Sequence, residues 1–360
     1  MPKITHIVGA RPNFMKAAPV LSAINQHGIT QRLVHTGQHY DAMMSDRFFQ
    51  QLALPEPDLN LGVGSGSHAT QTADVMTRLE PELAAHRPEL LVVYGDVNST
   101  MAAALVAAKM QIPVAHVEAG LRSFDWTMPE EINRLITDRL SQLLLTPSKD
   151  ANDNLAREGA DPQSVCLIGN VMIDSLIRSL PAADAATPLE RAGLKRGDSF
   201  VLVTLHRPSS VDDGKLLQRL IQVLSVIAQD VPVLFPVHPR TRAQMQPGWI
   251  HSNHLVVTEP LSYFEFIGLE QRAALVITDS GGVQEETTYL GVPCLTVRDN
   301  TERPVTITAG TNRLIGRDPD ALLRAAREEL KKPRSAARKP ELWDGHAGTR
   351  AATAIIRFLS

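Results

Sequence analysis

The stretch that decides the fold is Leu275-Val-Ile-Thr-Asp-Ser-Gly-Gly-Val-Gln-Glu-Glu-Thr-Thr-Tyr-Leu-Gly-Val-Pro-Cys-Leu-Thr-Val297. In it an apolar strand runs into Ser280, Gly281 and Gly282 at the point where a helix would begin. The glycines let the backbone approach a ligand closely, and the amides and positive dipole end of the helix favour an anion. Glu286, one turn further, suits the hydroxyls of a ribose. The pattern predicts a phosphate site, although a tight turn in an α/β protein can have the same sequence.

Short apolar strands alternate with helical stretches along the whole chain. The predicted strands are Ile4–Val8, Gln31–Thr36, Leu90–Tyr94, Val114–Glu118, Leu143–Thr146, Val165–Ile168, Phe200–Thr204, Val233–Val237, Leu255–Val257, Leu275–Thr278 and Cys294–Val297. These runs are continuously apolar, which is typical of parallel strands that helices cover on both faces. We therefore predict an α/β protein with two doubly wound, Rossmann-like domains.

The expected domains are residues 1–170, which carry the acidic strand ends, and residues 171–346, which carry the glycine-rich turn. A C-terminal helix over residues 347–360 is expected to pack back on the domains, because its apolar residues form one broad face. The patch Pro181–Pro188 reads as a loop after the boundary. Pro19 is expected to kink or restart the first helix.

Composition excludes several classes of partner. The 360 residues include 36 basic and 39 acidic side chains, so no polyanionic or membrane surface is expected as a partner, and no nucleic acid. The N-terminus leads straight into a strand, without a signal-peptide core, and no apolar run has the length of a membrane span. These features predict a cytoplasmic protein.

A second glycine-rich stretch, Gly62-Val-Gly-Ser-Gly-Ser67, invites a dinucleotide-binding interpretation. It follows no clear strand, however, and the pattern instead favours a loop before a helix capped near Ser67 or Thr70. No nicotinamide cofactor is inferred from it.

Polar side chains follow several of the predicted strands. Asp96 follows one strand, Glu118 ends the next, and Pro129 starts a helix that places Glu130 and Arg134 on one face. Because ligands bind at the carboxyl ends of parallel strands, three carboxylates there could transfer protons. A surface salt bridge between Glu130 and Arg134 is the simpler alternative.

Basic groups also follow predicted strands. Arg11 and Lys16 lie near the start of the first helix and could neutralise a ligand phosphate, or merely cap and solvate the helix. His206 and His238 each end a strand of the second half. His206, with Arg207 after it, is expected to face the same crevice as Ser280.

Ten motifs, taken in order, resemble those of the non-hydrolysing UDP-N-acetylglucosamine 2-epimerases. They are Gly9-Ala-Arg-Pro-Asn-Phe-Met-Lys16, Gly37-Gln-His39, Gly95-Asp96, His116-Val-Glu-Ala-Gly-Leu-Arg122, Pro129-Glu-Glu-Ile-Asn-Arg134, Gly169-Asn170, His206-Arg207, Asp279-Ser-Gly-Gly-Val-Gln-Glu-Glu286, Arg298-Asp299 and Thr301-Glu-Arg-Pro304. The resemblance covers essentially the whole chain. It implies a glycosyltransferase-B architecture with two domains facing a central cleft, a UDP-sugar substrate, a homodimer, and neither a metal nor another cofactor.

The resemblance also implies roles for particular residues. Those implied to act on the sugar are Asp96, Glu118, Glu130 and His206. Those implied to bind the substrate are Arg11, Lys16, Arg134, Phe266, Ser280, Gly281, Gly282, Glu286 and Arg303. The reaction implied is reversible epimerisation at carbon 2 of UDP-N-acetylglucosamine, through elimination and re-addition of UDP.

The chain departs from the family pattern after His206-Arg207, where many bacterial members carry Arg-Glu and this chain has Pro208-Ser209. Some of those members bind a second UDP-N-acetylglucosamine as an activator. The corresponding residues here would be Gln38, His39 and His238, but the lost arginine predicts that activation is not obligatory.

Three alternatives stay open. The substrate could be a carboxylated or diacetamido UDP-sugar, or the chain could be a glycosyltransferase or a non-catalytic nucleotide-sugar sensor. A transferase needs at most one base, and a sensor would lose some of the three carboxylates, whereas all three are present.

Overall fold

The computed structural model describes residues 3–38, 54–186, 188–189, 193–195, 197–246, 248–333 and 338–360. It divides into two compact units. The first unit runs to Ile177 and resumes with residues Glu341–Ser360, and the second unit is Arg178–Pro340. The domain limits expected at residues 170 and 346 stay predictions. Within the described ranges, no helix is both long enough and apolar enough to cross a membrane.

The strands are β1 Ile4–Val8, β2 Gln31–His35, β3 Leu59–Asn60, β4 Leu90–Tyr94, β5 Val114–Val117, β6 Leu143–Thr146, β7 Val165–Leu167, β8 Val201–Thr204, β9 Val233–Pro236, β10 Leu255–Thr258, β11 Leu275–Thr278, β12 Cys294–Thr296 and β13 Asn312–Leu314. The helices are α1 Arg11–Asn25, α2 His68–Ala85, α3 Asn98–Lys109, α4 Pro129–Leu140, α5 Lys149–Arg157, α6 Val171–Ala186, α7 Pro208–Val211, α8 Gly214–Asp230, α9 Pro239–Gln244, α10 Tyr263–Glu270, α11 Gly281–Leu290, α12 Val305–Thr308, α13 Pro319–Glu329 and α14 Ala347–Leu359.

Each unit contains one parallel sheet. The first has the strand order β3-β2-β1-β4-β5-β6-β7, and the second has the order β10-β9-β8-β11-β12-β13. In both sheets the order reverses beside the first strand, so β1 pairs with β4 and β8 pairs with β11. These are the topological switch points where doubly wound proteins bind ligands. The predicted fold class is confirmed.

The core explains why the strands are apolar throughout. All five residues of β1 and all five of β4 are buried. In the second unit, α8 buries one face, including Leu217, Leu220 and Leu224, against the sheet. Helices thus exclude water from both faces of each sheet, as the uninterrupted apolar runs predict.

Several local predictions need correction. The strands β3 and β13 have no apolar run, and for that reason the sequence pattern misses them. The loop expected from Pro181 is wrong, because α6 continues through it to Ala186. The cap predicted near Ser67 is confirmed, since its Oγ accepts a hydrogen bond from the amide of Thr70 at 3.2 Å.

Helix α1 continues through Pro19, so the expected restart is wrong, whereas a kink at Pro19 stays a prediction. Proline has no amide hydrogen, so the carbonyl of Met15, four residues earlier, loses its helical donor. The hydroxyl of Ser175 on α6 donates to that carbonyl at 2.5 Å. A side chain from a second helix therefore satisfies the group that Pro19 leaves unpaired.

Helix α14 packs on α1 within the first unit. Its first amides, those of Ala347 and Gly348, donate to the carboxylate of Asp174 at 3.1 and 2.7 Å. A Cβ on Gly348 would lie 2.7 Å from the carbonyl oxygen of Pro19, so a larger residue would push the helices apart. The C-terminal segment is thus built into the first unit.

We predict that Ser175→Ala lowers the free energy of unfolding by about 1–3 kcal/mol, because the buried carbonyl of Met15 then has no donor. In a Pro19→Ala background the backbone amide at residue 19 can make that hydrogen bond, so the same change should cost clearly less. Urea unfolding of the four proteins of this double-mutant cycle measures the difference. An equal cost in both backgrounds would contradict the assignment.

Candidate active site

Two carboxylates lie at the carboxyl ends of neighbouring strands in the first unit. Asp96 follows β4 after one glycine, and Glu118 follows β5 directly. Glu118 is buried, and its Oε1 and Oε2 lie 2.9 and 2.8 Å from Nζ of Lys16 on α1. Its φ of 77° is unusual for a residue with a side chain and costs about 1–3 kcal/mol. The strand end is therefore strained where the carboxylate leaves the sheet.

Gly95, between β4 and Asp96, has to be glycine for two reasons. Its φ is 62°, in the left-handed region. A Cβ built at this position would also lie 2.5 Å from Nζ of Lys16. The ammonium of Lys16 thus lies against the Gly95 backbone at the point where it bonds to Glu118.

Helix α4 carries two adjacent carboxylates with different surroundings. Glu131 is buried and accepts hydrogen bonds from the amides of Ser123 and Phe124 at 2.9 Å each, and from Arg134 Nη2 at 2.7 Å. Burial alone would raise the pKa of Glu131, but these donors outweigh it and lower that pKa. Glu130 is half-buried, and within the described ranges it forms no hydrogen bond or ion pair.

Arg134 does not form the surface salt bridge with Glu130 that was the simpler alternative. Its guanidinium is buried, contacts Glu131 three residues earlier, and makes a short ion pair with Asp96. The side chain of Asn133 adds a hydrogen bond to the Asp96 carbonyl at 2.8 Å. Helix α4 therefore fixes the backbone and the carboxylate of Asp96 together.

The start of α1 is less open to an anion than the sequence suggested. Oδ1 of Asn13 accepts from the amides of Gly9 and Ala10 at 3.0 and 3.1 Å, and its Nδ2 donates to the carbonyl of Tyr94 at 2.8 Å. Lys16 points to Glu118, and the side chain of Arg11 lies outside the described part of the structure.

The residues of the possible regulatory site are also constrained. Oε1 of Gln38 accepts from the amide and the hydroxyl of Ser99 at 3.1 and 2.7 Å, so this buried side chain is tied to α3. His39 lies outside the described residues. His238, in the second unit, accepts from the amide of Arg240 at 3.2 Å and caps α9.

In the second unit, Asp279 organises the switch point between β8 and β11. Its buried carboxylate accepts from the amides of His206 and Arg207, each at 2.9 Å. Nδ1 of His206 lies 3.2 Å from the same carboxylate. Burial lowers the pKa of His206. The charges of Arg207 and Arg240 lower it further, and together these effects outweigh the opposite effect of Asp279. Asp279 therefore holds His206 in place, and the lowered pKa favours the neutral ring.

The start of α11 contains the Ser280-Gly281-Gly282 turn, which stays the predicted phosphate site. No side chain caps the helix at Ser280, whose own amide donates to Thr278 Oγ1 at 3.0 Å. The first amides of a helix have no partner inside it, and here the first two belong to Gly281 and Gly282. A Cβ on Gly281 would lie 2.6 Å from Nη1 of Arg303, so the guanidinium lies beside these amides. Oε1 of Glu302 lies 2.8 Å from the same Cβ position. Free helix amides beside a guanidinium favour an anion, so this helix start stays the candidate phosphate site.

Buried carboxylates hold Arg303 in that position. Its Nε lies 2.9 Å from Oε1 of Glu285, and its Nη1 makes a short contact with Glu302. Arg298 also donates to Glu302, at 2.8 Å, and Arg207 lies 3.7 Å from it.

Glu286 lies further along α11 and is almost completely buried. Its Oε1 accepts a hydrogen bond from the hydroxyl of Tyr263 at 2.9 Å. Burial, and secondly the charge of Glu286, raise the pKa of the nearby Glu270 well above its usual range. Phe266 is half-buried and packs on the apolar core of the unit.

A family model described as UDP-N-acetylglucosamine 2-epimerase matches residues 22–356. The chain belongs to the UDP-N-acetylglucosamine 2-epimerase family. The family member from Methanocaldococcus jannaschii is 39% identical over 99% of both chains. Its crystal structure in complex with UDP-GlcNAc and UDP is similar over 99% of both chains, with a TM-score of 0.88. The UDP-2,3-diacetamido-2,3-dideoxy-D-glucuronate 2-epimerase of Pseudomonas aeruginosa is 43% identical, over 92% of this chain and 93% of its own.

Within this family frame, the structure gathers the predicted residues in two groups. The group in the first unit is Asp96, Glu118, Lys16 and Arg134, with Glu130 on the helix that carries Arg134. The group in the second unit is His206, His238, Ser280, Gly281, Gly282, Glu286 and Arg303. Among the described residues, no group of three or more histidine, cysteine and acidic side chains could hold a metal ion.

Sequence reasoning missed the residues that hold these groups. Glu131, Glu285 and Glu302 each lie inside a motif of the family, next to or near a predicted site residue. Tyr263 belongs to no such motif, and its hydroxyl is recognised only through its contact with Glu286. The available signal was a pair of adjacent acidic residues in a helix that packs on the sheet. One carboxylate of such a pair is buried and therefore needs a cation or hydrogen-bond donor as its partner.

We predict that Gly281→Ala weakens binding of inorganic pyrophosphate by about ten- to a hundredfold, because the added methyl displaces Arg303 and removes a charge-assisted hydrogen bond. Gly214→Ala is the matched control, since Gly214 also begins a helix and a Cβ there has nothing within 4 Å. Calorimetric titration of both variants tests this. Equal affinities in the two variants would exclude this helix start as the anion site.

Proposed function

We propose that this protein interconverts UDP-N-acetylglucosamine and UDP-N-acetylmannosamine by epimerisation at carbon 2. The observation that carries the proposal is the open start of α11, where Arg303 lies beside Gly281 in a chain of this family. Relatives solved with UDP-GlcNAc bound, including the Methanocaldococcus jannaschii structure, support a UDP-sugar as the substrate.

In this proposal the second unit stabilises UDP as a leaving group. The amides that follow Ser280, and the guanidinium of Arg303, would bind the diphosphate, while Glu286 would accept hydrogen bonds from the ribose hydroxyls. Each charge-assisted bond contributes roughly 1.5–3 kcal/mol. Because Arg303 is already fixed by Glu285 and Glu302, little reorganisation is needed when charge develops. Phe266 and Arg11 would add contacts to UDP.

The first unit would supply the proton-transfer groups. The proton on carbon 2 is not next to a carbonyl, so it becomes acidic only as the bond between carbon 1 and the UDP oxygen breaks. A carboxylate then removes this proton, which leaves a 2-acetamidoglucal and UDP. General-base assistance of this kind contributes about two to four powers of ten. Glu118 and Asp96 suit the step, because each carboxylate already lies against a buried cation.

Inversion requires a second group on the opposite face of the sugar. UDP returns to carbon 1 as an acid delivers a proton to carbon 2 from that face. Glu130 suits this role because it is half-buried and its carboxylate has no partner among the described residues. His206, neutral and fixed by Asp279, could donate to or accept from a sugar hydroxyl.

A carboxylated or diacetamido UDP-sugar is the second candidate substrate. The observation that favours it is the 43% identity with the UDP-2,3-diacetamido-2,3-dideoxy-D-glucuronate 2-epimerase of Pseudomonas aeruginosa. Arg240 and Arg242, near His238, pair at the surface with Asp212 and Glu259. Either arginine could exchange that exposed partner for an additional carboxylate on the sugar. Comparison of kcat/KM for the two UDP-sugars decides between them.

We expect epimerisation in deuterium oxide to place deuterium at carbon 2 of the product, because the proton removed by a carboxylate exchanges with solvent. Proton NMR of the purified product, made from UDP-N-acetylglucosamine, measures the incorporation. A glycosyltransferase or a sensor would give no epimer at all. An epimer that retained its original hydrogen would require a route other than elimination.

We expect Asp96→Asn, Glu118→Gln and Glu130→Gln each to lower turnover by about two powers of ten or more, with UDP affinity within severalfold of the original. Glu80→Gln, which changes an exposed carboxylate on α2, is the control and should turn over normally. Steady-state rates and UDP titrations of the four variants test the assignment. Normal turnover in one of the first three would remove that residue from the mechanism.

The protein is also proposed to be a homodimer that associates through the first unit. Phe124 and Trp126 are 67% and 70% exposed in the loop before α4, and Ile132 and Ile136 lie on one exposed face of that helix. Ile132→Glu with Ile136→Glu should therefore give a monomer in analytical ultracentrifugation. Phe358→Glu, an exposed aromatic on α14, is the control that should stay dimeric. A dimer that survives the double change would place the interface elsewhere.

A further inference from the structure

Two completely buried histidines in the first unit offer a direct comparison. His6 lies on β1 and His116 on β5, and both nitrogens of each ring have hydrogen-bond partners. The partners of the two rings differ in whether they can donate a hydrogen bond. That difference fixes the number of protons on each ring.

His6 is satisfied as a neutral ring. Its Nδ1 lies 2.7 Å from the hydroxyl of Tyr94, which can donate, and its Nε2 lies 3.0 Å from Oε1 of Gln31. The amide of Gln31 is oriented by its own bond, since its Nε2 donates to the carbonyl of Leu21 at 3.2 Å. One proton, on Nε2, therefore completes the set. Burial lowers the pKa of His6 to about 3, in keeping with a neutral ring.

His116 faces acceptors on both sides. Its Nδ1 lies 2.6 Å from Oδ1 of Asp138, and its Nε2 lies 2.8 Å from the carbonyl oxygen of Gly95. A carbonyl oxygen and an ionised carboxylate can only accept. A neutral ring would direct a lone pair at one of them, at hydrogen-bond distance. Both contacts are favourable only when both ring nitrogens carry a proton.

The surroundings of Asp138 indicate that it is ionised. Besides His116, its carboxylate accepts from the amide of Gly120 at 3.0 Å and lies 2.7 Å from Nη2 of Arg122. Arg122 is in turn paired with Glu158 through two bonds of 2.8 and 2.7 Å. With His116 charged, the cluster contains two cations and two anions and is balanced.

We propose that His116 is an imidazolium that positions Asp96 and Glu118 through the Gly95 carbonyl and, by way of Asp138, the Gly120 amide. The charge state stands on the geometry of the first unit alone. The positioning role rests on the proposed function, because it concerns the carboxylates assigned to proton transfer.

The clamp acts on the backbone next to each carboxylate. Gly95 directly precedes Asp96, and Glu118 lies between His116 and Gly120, with its left-handed φ of 77°. Such a conformation persists only where the surroundings hold it. His116 fixes the residue before Asp96 and, through Asp138, the second residue after Glu118. One ring therefore keeps two strand ends in register.

Lys16 also links the same two strand ends. Its ammonium lies beside Gly95 and bonds to Glu118. A movement of the Gly95 turn would therefore displace both carboxylates together. Proton transfer needs its groups within about 0.5 Å of the productive geometry, so such a movement would lower kcat. Apart from Arg11, the proposed UDP contacts are assigned to the second unit, so KM should change little.

The charge state can be measured on the unaltered protein. With ¹⁵N-labelled histidine, both ring nitrogens of His116 should show protonated chemical shifts and attached protons at pH 7 to 8. His6 should show one protonated and one unprotonated nitrogen, and serves as the internal control. Neutron diffraction of deuterated crystals would give the same answer without resonance assignment. A single proton on His116 by either method would overturn the proposal.

The positioning role is tested with His116→Gln and its matched control, His6→Gln, which also replaces a buried strand histidine by an amide. We expect His116→Gln to lower kcat at least tenfold with KM within about threefold, and His6→Gln to keep both within about twofold. An unchanged kcat in His116→Gln would overturn the positioning role. Should His116→Gln not fold, the proton count on the original protein still decides the proposal.

These results separate the two proposals. If the protein forms no epimer from any UDP-sugar, the proposed function fails, whereas two protons on His116 would still support the charged clamp. If the unaltered protein epimerises and His116 carries one proton, the clamp fails and the proposed function stands.

Discussion

The backbone amides that directly follow buried parallel strands need hydrogen-bond acceptors. Side chains supply these acceptors at the carboxyl ends of both sheets of this protein. Asp279 accepts from two amides after β8, Asn13 accepts from two amides after β1, and Asp138 accepts from the amide of Gly120 after β5. Few buried polar backbone groups are left unpaired in native proteins. These three acceptors thereby determine where the strand ends point, and with them the candidate site residues.

The same need for compensation governs the charged groups. In the first unit, buried Lys16 pairs with Glu118 and buried Arg134 with Glu131, while in the second unit Arg303 pairs with Glu285. A buried charge that loses its partner costs several kcal/mol, so each pair fixes its members rigidly. Preorganised charges of this kind stabilise a transition state without rearrangement during the reaction.

The two units have the same topology at their switch points but different groups at the helix starts there. Each has a switch point beside its first strand, yet the helix start at α1 is occupied by Asn13 whereas the helix start at α11 is open. An anion is therefore favoured in the second unit. The corresponding feature of the first unit is a set of carboxylates that contact buried cations. A leaving group and a proton acceptor are the two requirements of epimerisation by elimination.

The sequence by itself determined the parallel sheets, since continuous apolar runs separated by helices leave strands buried on both faces. It also determined which polar residues follow the strands, because strand ends are read directly from those runs. The tertiary structure decided the partners. Lys16 and Glu118 are 102 positions apart in the sequence. Ser175 is 160 positions from Met15, whose carbonyl it satisfies where Pro19 removes the helical donor of α1. Local patterns contain no information on such contacts, which exist only once the strand order has brought the elements together.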